Sequence, residues 1–359
     1  WRFSPGGTVY GQPAVDSSSG RIYFGASDKR LYALDNRGLF LWAFPTGDNV
    51  ATRPVIFGDL VIFGSEDRNV YAVAAPSGRL RWQQETGAAV VASPALAPLD
   101  DGRTAVVIGS DDGVAYALDA LTGEPLWTYE AGKPIEAPIL VADGRVLVTS
   151  TAGAVAALDP ATGEEQWGAD ANGRSIRYAP AVAADRLAVV DEQGYLSAYA
   201  LADGRRLWQS LEVDYVGAPL LVGDRLYVTG TGAVVHEVNL DGVRTGVWRM
   251  SDAGDAIDTA PRLDFGPVAG GGALWTVDSR SVARRIGGGV DGPAHLRLDW
   301  VRQVNEPPFA MDILRAAPIL RGNVALVVDE GGRVVEVDPQ TGTLGLRFQA
   351  DVEAARLEP

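Results

Sequence analysis

The sequence predicts an all-β protein, an eight-bladed β-propeller whose blades are four-stranded antiparallel sheets. The first observation is a glycine followed four residues later by a tryptophan, with successive tryptophans 40 to 45 residues apart. The pairs are Gly38/Trp42, Gly78/Trp82, Gly123/Trp127, Gly163/Trp167 and Gly204/Trp208, with a stretched pair at Gly242/Trp248. The second observation is a proline that opens an apolar run in every unit, at Pro13, Pro54, Pro94, Pro138, Pro180, Pro219, Pro261 and Pro318. Two markers in phase over most of the chain indicate a true repeat.

Each unit has the pattern of four short strands, and the third unit illustrates it. Residues 94–96 form a short apolar run, and residues 104–110 (TAVVIGS) are rich in β-branched side chains, as expected of a buried strand. A glycine-containing turn at 111–113 leads into a third strand at 114–119, and the fourth strand contains Trp127. Four-stranded units of about 40–45 residues are typical of propeller blades.

Eight prolines predict eight blades in a single domain that spans residues 1–359. The seventh unit is irregular over about 262–317, where the spacing between prolines lengthens. A closed ring needs terminal strands to complete the last blade, and residues 1–3 (WRF) and 346–350 (LRFQA) both fit that place. The prediction is therefore a ring closed by N- and C-terminal strands, with the choice between them left open.

The shared motif is predicted to have a structural role in every blade. Asp and Thr side chains can accept hydrogen bonds from turn amides, and glycine adopts a positive φ without steric cost. The tryptophan ring is expected to pack between blades while its indole N–H binds a carbonyl. A catalytic group is needed once, whereas this motif recurs. The structural positions are Asp35, Gly38, Trp42, Gly78, Trp82, Asp119, Gly123, Trp127, Asp159, Gly163, Trp167, Gly204, Trp208, Trp248, Asp338 and Gly342.

Composition excludes several classes of function. The net charge of -15 disfavours nucleic acid and anionic lipid as partners. The absence of cysteine excludes disulfides, thiolate metal sites and a cysteine nucleophile. No apolar run approaches the roughly 20 residues that span a bilayer. Because the chain begins at Trp1, we expect a processed or excised piece, so a lipid anchor is possible but would not be visible.

No catalytic or metal-binding constellation is predicted. The two histidines lie in unrelated settings: His236 in a strand, where we expect it to be half-buried, and His295 in a loop rich in glycine and proline. Neither has partners at the spacing of a metal site. No nucleophile elbow or phosphate-binding loop is present, and the acidic pairs lie at turns. We therefore predict no catalytic residue and no bound metal.

The repeat resembles the PQQ-like, quinoprotein-type propeller family over essentially the whole chain. Residues 116–127 (YALDALTGEPLW) and 157–167 (ALDPATGEEQW) carry the match, which departs from the family pattern at Ala74, Ala200 and Leu346. Some members of the family are dehydrogenases that use a quinone cofactor and calcium, and the alcohol-dehydrogenase branch carries adjacent cysteines. This chain lacks cysteine and a separate acidic cluster, so we predict no cofactor, and a quinoprotein dehydrogenase is a remote alternative.

The non-enzymatic eight-bladed members, the BamB-like propellers, resemble this chain more closely in length and blade number. The resemblance implies a scaffold or accessory subunit that binds other envelope proteins, in the periplasm or associated with the outer membrane. In that family the partner contact uses loops before the prolines of adjacent blades, one with an apolar–arginine pair and one with an acidic pair. The matching residues here are Ile176, Arg177 and Asp214, with Val216 in place of the second acid.

A second candidate contact lies in the irregular seventh unit, where residues 302–314 form a long loop. Its apolar residues Pro308, Phe309 and Met311 would either meet a partner or fold back as a plug over the ring. The alternative function is a ligand-sensing propeller domain outside a receptor such as a bacterial Ser/Thr kinase, which carries the same repeats.

Overall fold

The computed structural model describes residues 3–183, 185–222, 224–231 and 234–249, and the backbone of eight further strand segments between residues 268 and 345. All regular structure in these residues is β-strand. The strands follow one another in antiparallel pairs, as expected of a meander. The structure confirms the predicted all-β propeller fold, while the count of eight blades in a closed ring and the single domain over 1–359 stay predictions.

Six sheets are described with their side chains, numbered here in chain order. Sheet 1 contains β1 (Ala14–Val15), β2 (Ile22–Ala26), β3 (Arg30–Leu34) and β4 (Phe40–Pro45). Sheet 2 contains β5 (Val55–Phe57), β6 (Leu60–Ser65), β7 (Asn69–Ala74) and β8 (Leu80–Glu85). Sheet 3 contains β9 (Ala95–Pro98), β10 (Thr104–Gly109), β11 (Val114–Asp119) and β12 (Pro125–Glu130).

The next three sheets repeat the same order. Sheet 4 contains β13 (Leu140–Ala142), β14 (Arg145–Thr149), β15 (Ala154–Leu158) and β16 (Glu165–Asp170). Sheet 5 contains β17 (Ala181–Ala183), β18 (Arg186–Val190), β19 (Leu196–Ala200) and β20 (Arg206–Gln209). Sheet 6 contains β21 (Tyr215–Val222), β22 (Arg225–Gly230), β23 (Val234–Asn239) and β24 (Arg244–Arg249).

The remaining described backbone segments pair into two more groups of four. The first contains β25 (Val268–Gly270), β26 (Ala273–Val277), β27 (Val282–Gly287) and β28 (Arg297–Gln303). The second contains β29 (Ile319–Arg321), β30 (Val324–Val328), β31 (Val334–Val337) and β32 (Leu344–Gly345). Asp338, Gly342, Pro308, Phe309 and Met311 lie outside the described residues.

The hydrophobic core lies between successive sheets. Second and third strands are almost entirely buried, whereas fourth strands alternate between buried and exposed residues. One cluster joins Trp42 and Tyr23 of sheet 1 to Phe63 and Val73 of sheet 2, and others join later sheets in the same way. First strands of neighbouring sheets contact each other, as β5 does β9 and β9 does β13, so they form the inner side of the ring.

In sheets 1 to 5, a tryptophan of the fourth strand donates a hydrogen bond to the following sheet. The indole N–H of Trp82 donates to the carbonyl of Ala120 at 3.2 Å, and that of Trp127 donates to Pro160 at 2.9 Å. Trp42, Trp167 and Trp208 make the same bond to the next sheet. The turn glycine of the next sheet packs against the indole of this tryptophan. Gly123 contacts Trp82 so closely that a Cβ on Gly123 would lie 2.6 Å from the Trp82 indole.

The acidic residue of the motif organises the turn that carries this glycine. Asp119 Oδ1 accepts the amides of Leu121 and Thr122, each at 3.0 Å, and Asp159 Oδ1 accepts the corresponding pair in sheet 4. Asp35 accepts two turn amides in sheet 1. The turn thereby holds its glycine at positive φ, 77° at Gly123.

Sheet 6 departs from the repeat at the tryptophan position. In sheets 1 to 5 the tryptophan pairs with an alanine of the third strand, as Trp127 does with Ala117. In sheet 6 the corresponding pair is Gly246 and Glu237, and Trp248 lies two residues further along, opposite Val235. The two extra residues between Gly242 and Trp248 shift the tryptophan along the strand, so it does not take the predicted register position.

The N-terminal segment packs against sheet 1 as a preceding fourth strand would. Phe44 of β4 contacts Phe63 and Tyr71 of sheet 2, with ring centroids 6.1 and 5.4 Å away. Phe3 makes the matching contacts with sheet 1, at 6.0 Å from Phe24 and 5.5 Å from Tyr32. Residues 3–13 form no strand, and the competing residues 346–350 lie outside the described residues, so which terminal segment closes the ring stays a prediction.

Candidate functional site

One end of the propeller carries two kinds of loop. Because antiparallel strands alternate in direction, turns between second and third strands lie at the same end as the loops that join one sheet to the next. The turns that carry Asp119 and its equivalents lie at the opposite end. We call the first of these the loop end; both predicted contact loops, before Pro180 and before Pro219, lie there.

Each joining loop inserts an apolar residue between two sheets. Val90 is fully buried against Gly64 of sheet 2, and its amide donates to Ser65 O at 3.1 Å. The preceding carbonyl, of Ala89, accepts the amide of Asp111 in sheet 3 at 2.9 Å. The loop is thus hydrogen-bonded to the sheets on both sides, which stabilises the boundary between them.

Ile176 is the equivalent of Val90 before sheet 5. Its side chain is 0% exposed, and its amide donates to Ser150 O at 3.2 Å. The side chain therefore lies inside the boundary between sheets 4 and 5 and is not exposed to a partner in this structure, while the partner contact of its loop stays a prediction. The apolar residue of the Ile176–Arg177 pair has a packing role at this position.

Arg177 lies at the surface of the loop end between two carboxylates. Its Nε donates to Glu192 Oε1 at 2.5 Å, and its Nη1 pairs with Glu136. Partial burial lowers the pKa of Arg177, but Glu136 and Glu192 outweigh it and raise the pKa overall. Burial raises the pKa of nearby Asp111, and the charges of Glu136 and Glu66 raise it further. The surroundings of Arg177 are therefore acidic, and its guanidinium is already paired.

Asp214 is likewise engaged within the chain. Arg244 Nη2 donates to both of its carboxylate oxygens, at 3.1 and 3.3 Å, and also pairs with Glu212. His236 lies beneath it, with Nε2 3.3 Å from Asp214 Oδ2. His236 is 2% exposed, so the expectation that it is half-buried is wrong: the joining loop covers it.

The loop at residues 210–214 follows a different path from the earlier loops. In the earlier loops, the first amide of the loop donates to the carbonyl of the positive-φ residue in the turn between the second and third strands. The Ala131 amide, for example, donates to Gly113 O at 2.8 Å. Ser210 donates instead to Leu196 O at 2.8 Å, and the matching carbonyl, of Gly194, accepts the amide of Tyr215 at 3.2 Å. Residues 211–213 are therefore displaced away from the sheet.

This displaced path exposes two apolar side chains that the sequence reasoning missed. Leu211 is 99% exposed and Val213 is 53% exposed, alternating with the acidic Glu212 and Asp214. The signal in the sequence is the alternation LEVD in a loop whose equivalents are polar or small. Contiguous exposed apolar residues can mark a contact surface, and Leu211 and Val213 lie two residues apart in one loop.

The two predicted loops border one turn of sheet 5. Arg177 pairs with Glu192 on one side of the turn at 191–194, and the carbonyl of Val213 packs against Gly194 on the other. We call Arg177, Glu192, Leu211 and Val213 the sheet 5–6 rim. The structure thus places both loops at one site, with Arg177 and Asp214 held by internal ion pairs and Leu211 and Val213 free to meet a partner.

The described part of the chain contains no group of three or more His, Asp or Glu side chains arranged to hold a metal ion. Within the same residues, no helix has the length and apolar character needed to cross a membrane.

The repeats identify the family. A family model described as "Outer membrane protein assembly factor BamB" matches residues 1–96, 66–209 and 151–356. The chain belongs to this family. The matched residues include the tryptophan contacts and both predicted contact loops described above.

Solved structures show the same fold. BamB from Moraxella catarrhalis is 24% identical, with a TM-score of 0.66 over 77% of this chain and 81% of that one. The computationally designed Ika8 protein is 16% identical, with a TM-score of 0.72 over 92% and 96%. Saccharomyces cerevisiae Sqt1 is 10% identical, with a TM-score of 0.75 over 94% and 97%. At these identities the likeness supports the fold alone.

One curated relative is similar over a limited region. A quinoprotein ethanol dehydrogenase from Pseudomonas aeruginosa is 34% identical over 103 residues, 25% of this chain. The match covers 16% of the length of that enzyme. A segment of this length corresponds to between two and three repeat units, so it reflects the repeat.

Proposed function

We propose that the protein is a non-catalytic scaffold of the bacterial cell envelope that binds a partner protein through the sheet 5–6 rim. Membership in the BamB family makes an accessory subunit of outer-membrane protein assembly the leading role. The observation that carries the proposal is the exposure of Leu211 and Val213 at the loop end, next to the predicted contact residue Arg177. Such a role places the protein in the periplasm or at the outer membrane.

The chemistry of the rim defines the partner that would fit. Leu211 and Val213 offer aliphatic contact area, whereas Glu192, Glu212 and Asp214 surround it with negative charge. A complementary surface has an apolar depression bordered by Lys or Arg. Because protein interfaces draw most of their free energy from a few desolvated side chains, we assign the main contribution to Leu211 and Val213.

Arg177 and Asp214 have supporting roles in this proposal. Arg177 bridges Glu136, in the loop before sheet 4, and Glu192, in a turn of sheet 5, and Asp214 is held by Arg244. Each set of ion pairs holds one of the two loops in place, which lowers the entropy cost of presenting the apolar residues. Removing either charge is expected to weaken binding less than removing the apolar side chains.

The double variant Leu211→Glu/Val213→Glu tests the proposal. We expect it to reduce copurification of the outer-membrane assembly machinery by about 10- to 100-fold, because two apolar contact residues are replaced by charges. The measurement is quantitative pull-down from solubilised envelopes of the bacterium that encodes the protein.

Leu121 provides the matched control. It is 65% exposed but lies in the turn between β11 and β12, at the opposite end of the propeller. Leu121→Glu should leave copurification unchanged. Equal recovery with all three proteins would overturn the assignment of the rim, and absence of the assembly machinery from every sample would overturn the proposed role.

A further inference from the structure

Three tyrosines hold the joining loops of the first sheets in place. In sheet 3, the Tyr116 hydroxyl donates to Asp112 Oδ2 at 2.7 Å, and the same oxygen accepts the amide of Gly87 at 2.8 Å. Tyr71 and Asp67 make the same contact at 2.8 Å in sheet 2, and Tyr32 pairs with Asp28 in sheet 1. Each pair joins the third strand and the turn before it to the incoming loop.

His236 occupies the tyrosine position in sheet 6. Tyr116 immediately precedes the alanine opposite tryptophan, and His236 immediately precedes Glu237, which takes that alanine's place. Its carboxylate neighbour comes from the joining loop itself, with Asp214 Oδ2 3.3 Å from Nε2. Neither ring nitrogen makes a hydrogen bond, although the side chain is 2% exposed. Sheet 6 thus has an imidazole beneath the loop where sheets 1 to 3 have a phenol.

Burial and the charge of Arg244 oppose the protonation of His236 in the closed loop. Among the described residues, the groups that face it are Asp214 and Glu212 of the loop, Arg244 of β24, and the Tyr215 ring at 5.2 Å. Burial lowers the pKa of His236, and the charge of Arg244 lowers it further, against the opposing effect of Asp214 and Glu212. A buried cation here would have to share Asp214 with Arg244.

The phenol and the imidazole respond differently to pH. Burial, together with Asp112, raises the pKa of Tyr116 above its ordinary value. The Tyr116 hydroxyl therefore stays protonated between pH 5 and 8 and keeps its hydrogen bond to Asp112. A solvated histidine titrates near pH 6.5, within that range. Only the sheet 6 version of the contact therefore contains a group that takes up a proton under mildly acidic conditions.

We propose that His236 makes the loop at residues 210–214 acid-sensitive, so that protonation of the imidazole releases the loop from sheet 6. The release of the loop is independent of the proposed function. Its consequence for partner binding rests on the proposed function, because this loop carries Leu211 and Val213. Below about pH 6 the rim loses the fixed conformation that presents its apolar residues to the partner.

The direction follows from proton linkage. Because the pKa of His236 is lower in the closed state than in the open state, the open state binds more protons. The stability of the closed loop is fully present above about pH 6.5 and falls as the pH decreases below it. At pH 5 the open population increases by up to about 30-fold, the limit set by an ordinary histidine pKa of about 6.5.

Hydrogen–deuterium exchange of individual amides tests this proposal without a partner. The Thr231 amide donates to Asp214 O at 2.8 Å, and the Asp111 amide makes the equivalent bond to Ala89 O at 2.9 Å. After correction for intrinsic rates, we expect the protection factor of Thr231 to fall by about 10- to 30-fold between pH 7.5 and 5.0. The Asp111 amide, under the loop held by Tyr116, should keep its protection.

One variant separates titration from a general loss of packing. His236→Gln removes the titrating group and should abolish the pH dependence of the Thr231 amide, even if it also changes the protection of that amide at pH 7.5. An unchanged Thr231 amide in the wild type, or the same pH dependence in His236→Gln, would overturn the proposal. Loss of partner capture without this exchange behaviour would leave the proposed function standing and reject the acid-sensitive loop.

Discussion

Replacing Gly123 by alanine is expected to destabilise the protein by about 2–5 kcal/mol. Two costs combine at this position: a positive φ of 77°, which costs an alanine about 1–2 kcal/mol, and overpacking, which costs about 1–3 kcal/mol. The overpacking arises because the new Cβ would lie 2.6 Å from the Trp82 ring. The indole would have to move away from the Ala120 carbonyl to which it donates. Equilibrium unfolding in denaturant measures the free-energy change.

Gly132→Ala is the matched control for that experiment. Gly132 has a φ of 76°, almost identical to that of Gly123, but nothing lies within 4 Å of the position a Cβ would take. The control isolates the cost of the backbone conformation. If the two variants lost the same stability, the contact between glycine and tryptophan would contribute nothing to the boundary between sheets.

Replacing Arg225 by methionine is expected to destabilise the protein by about 3–5 kcal/mol. Glu237 is 1% exposed and pairs with Arg225, and its carboxylate also accepts Thr245 Oγ1 at 2.6 Å. Removing the guanidinium leaves a buried carboxylate without its cation, which is costly in a region of low dielectric constant. Thermal and denaturant unfolding report the loss.

The double variant Arg225→Met/Glu237→Ala should recover most of the lost stability. Alanine is the residue that sheets 1 to 5 carry at the position of Glu237, and removing both charges leaves no unpaired ion. A double variant that is no more stable than Arg225→Met would show that the ion pair is not the cause of the destabilisation.

The repeated features of the fold could be predicted from the sequence because each has a local physical cause. In each unit that carries the motif, a glycine packs against an indole and an aspartate accepts turn amides. These contacts require the same spacing between aspartate, glycine and tryptophan each time. The sequence therefore predicts that Trp127 packs between blades and donates its N–H to a carbonyl, which here is that of Pro160. The strands of sheet 3 lie within two residues of their predicted bounds.

Features specific to one loop could not be predicted, because they depend on how the loop enters the sheet. The loop sequence around Ile176 matches that of a contact loop, but the hydrogen bond from the Ile176 amide to Ser150 O accompanies a side chain that is turned inward. Leu211 is exposed because Ser210 pairs with Leu196 rather than with the turn residue used by earlier loops. Neither of these backbone hydrogen bonds can be inferred from the types of the residues that make it.

The departures in sheet 6 were partly visible in the sequence. The six-residue spacing from Gly242 to Trp248 breaks the glycine–tryptophan rule, and the structure places Gly246 in the tryptophan register. The burial of His236 required knowledge of the covering loop, since a histidine in a strand is equally compatible with an exposed face. The same sheet thus contains both the failed repeat and the proposed acid-sensitive contact.

Site-specific photo-crosslinking from position 211 tests the proposed scaffold function most directly. A photoreactive amino acid would replace Leu211 in one sample and Leu121 in the other, since both side chains are highly exposed and they lie at opposite ends of the propeller. Irradiation of intact cells, followed by mass spectrometry, identifies what each residue touches. We predict a conjugate with a subunit of the outer-membrane assembly machinery from position 211 and none from position 121. Conjugates with that machinery from both positions, or from neither, would contradict the account.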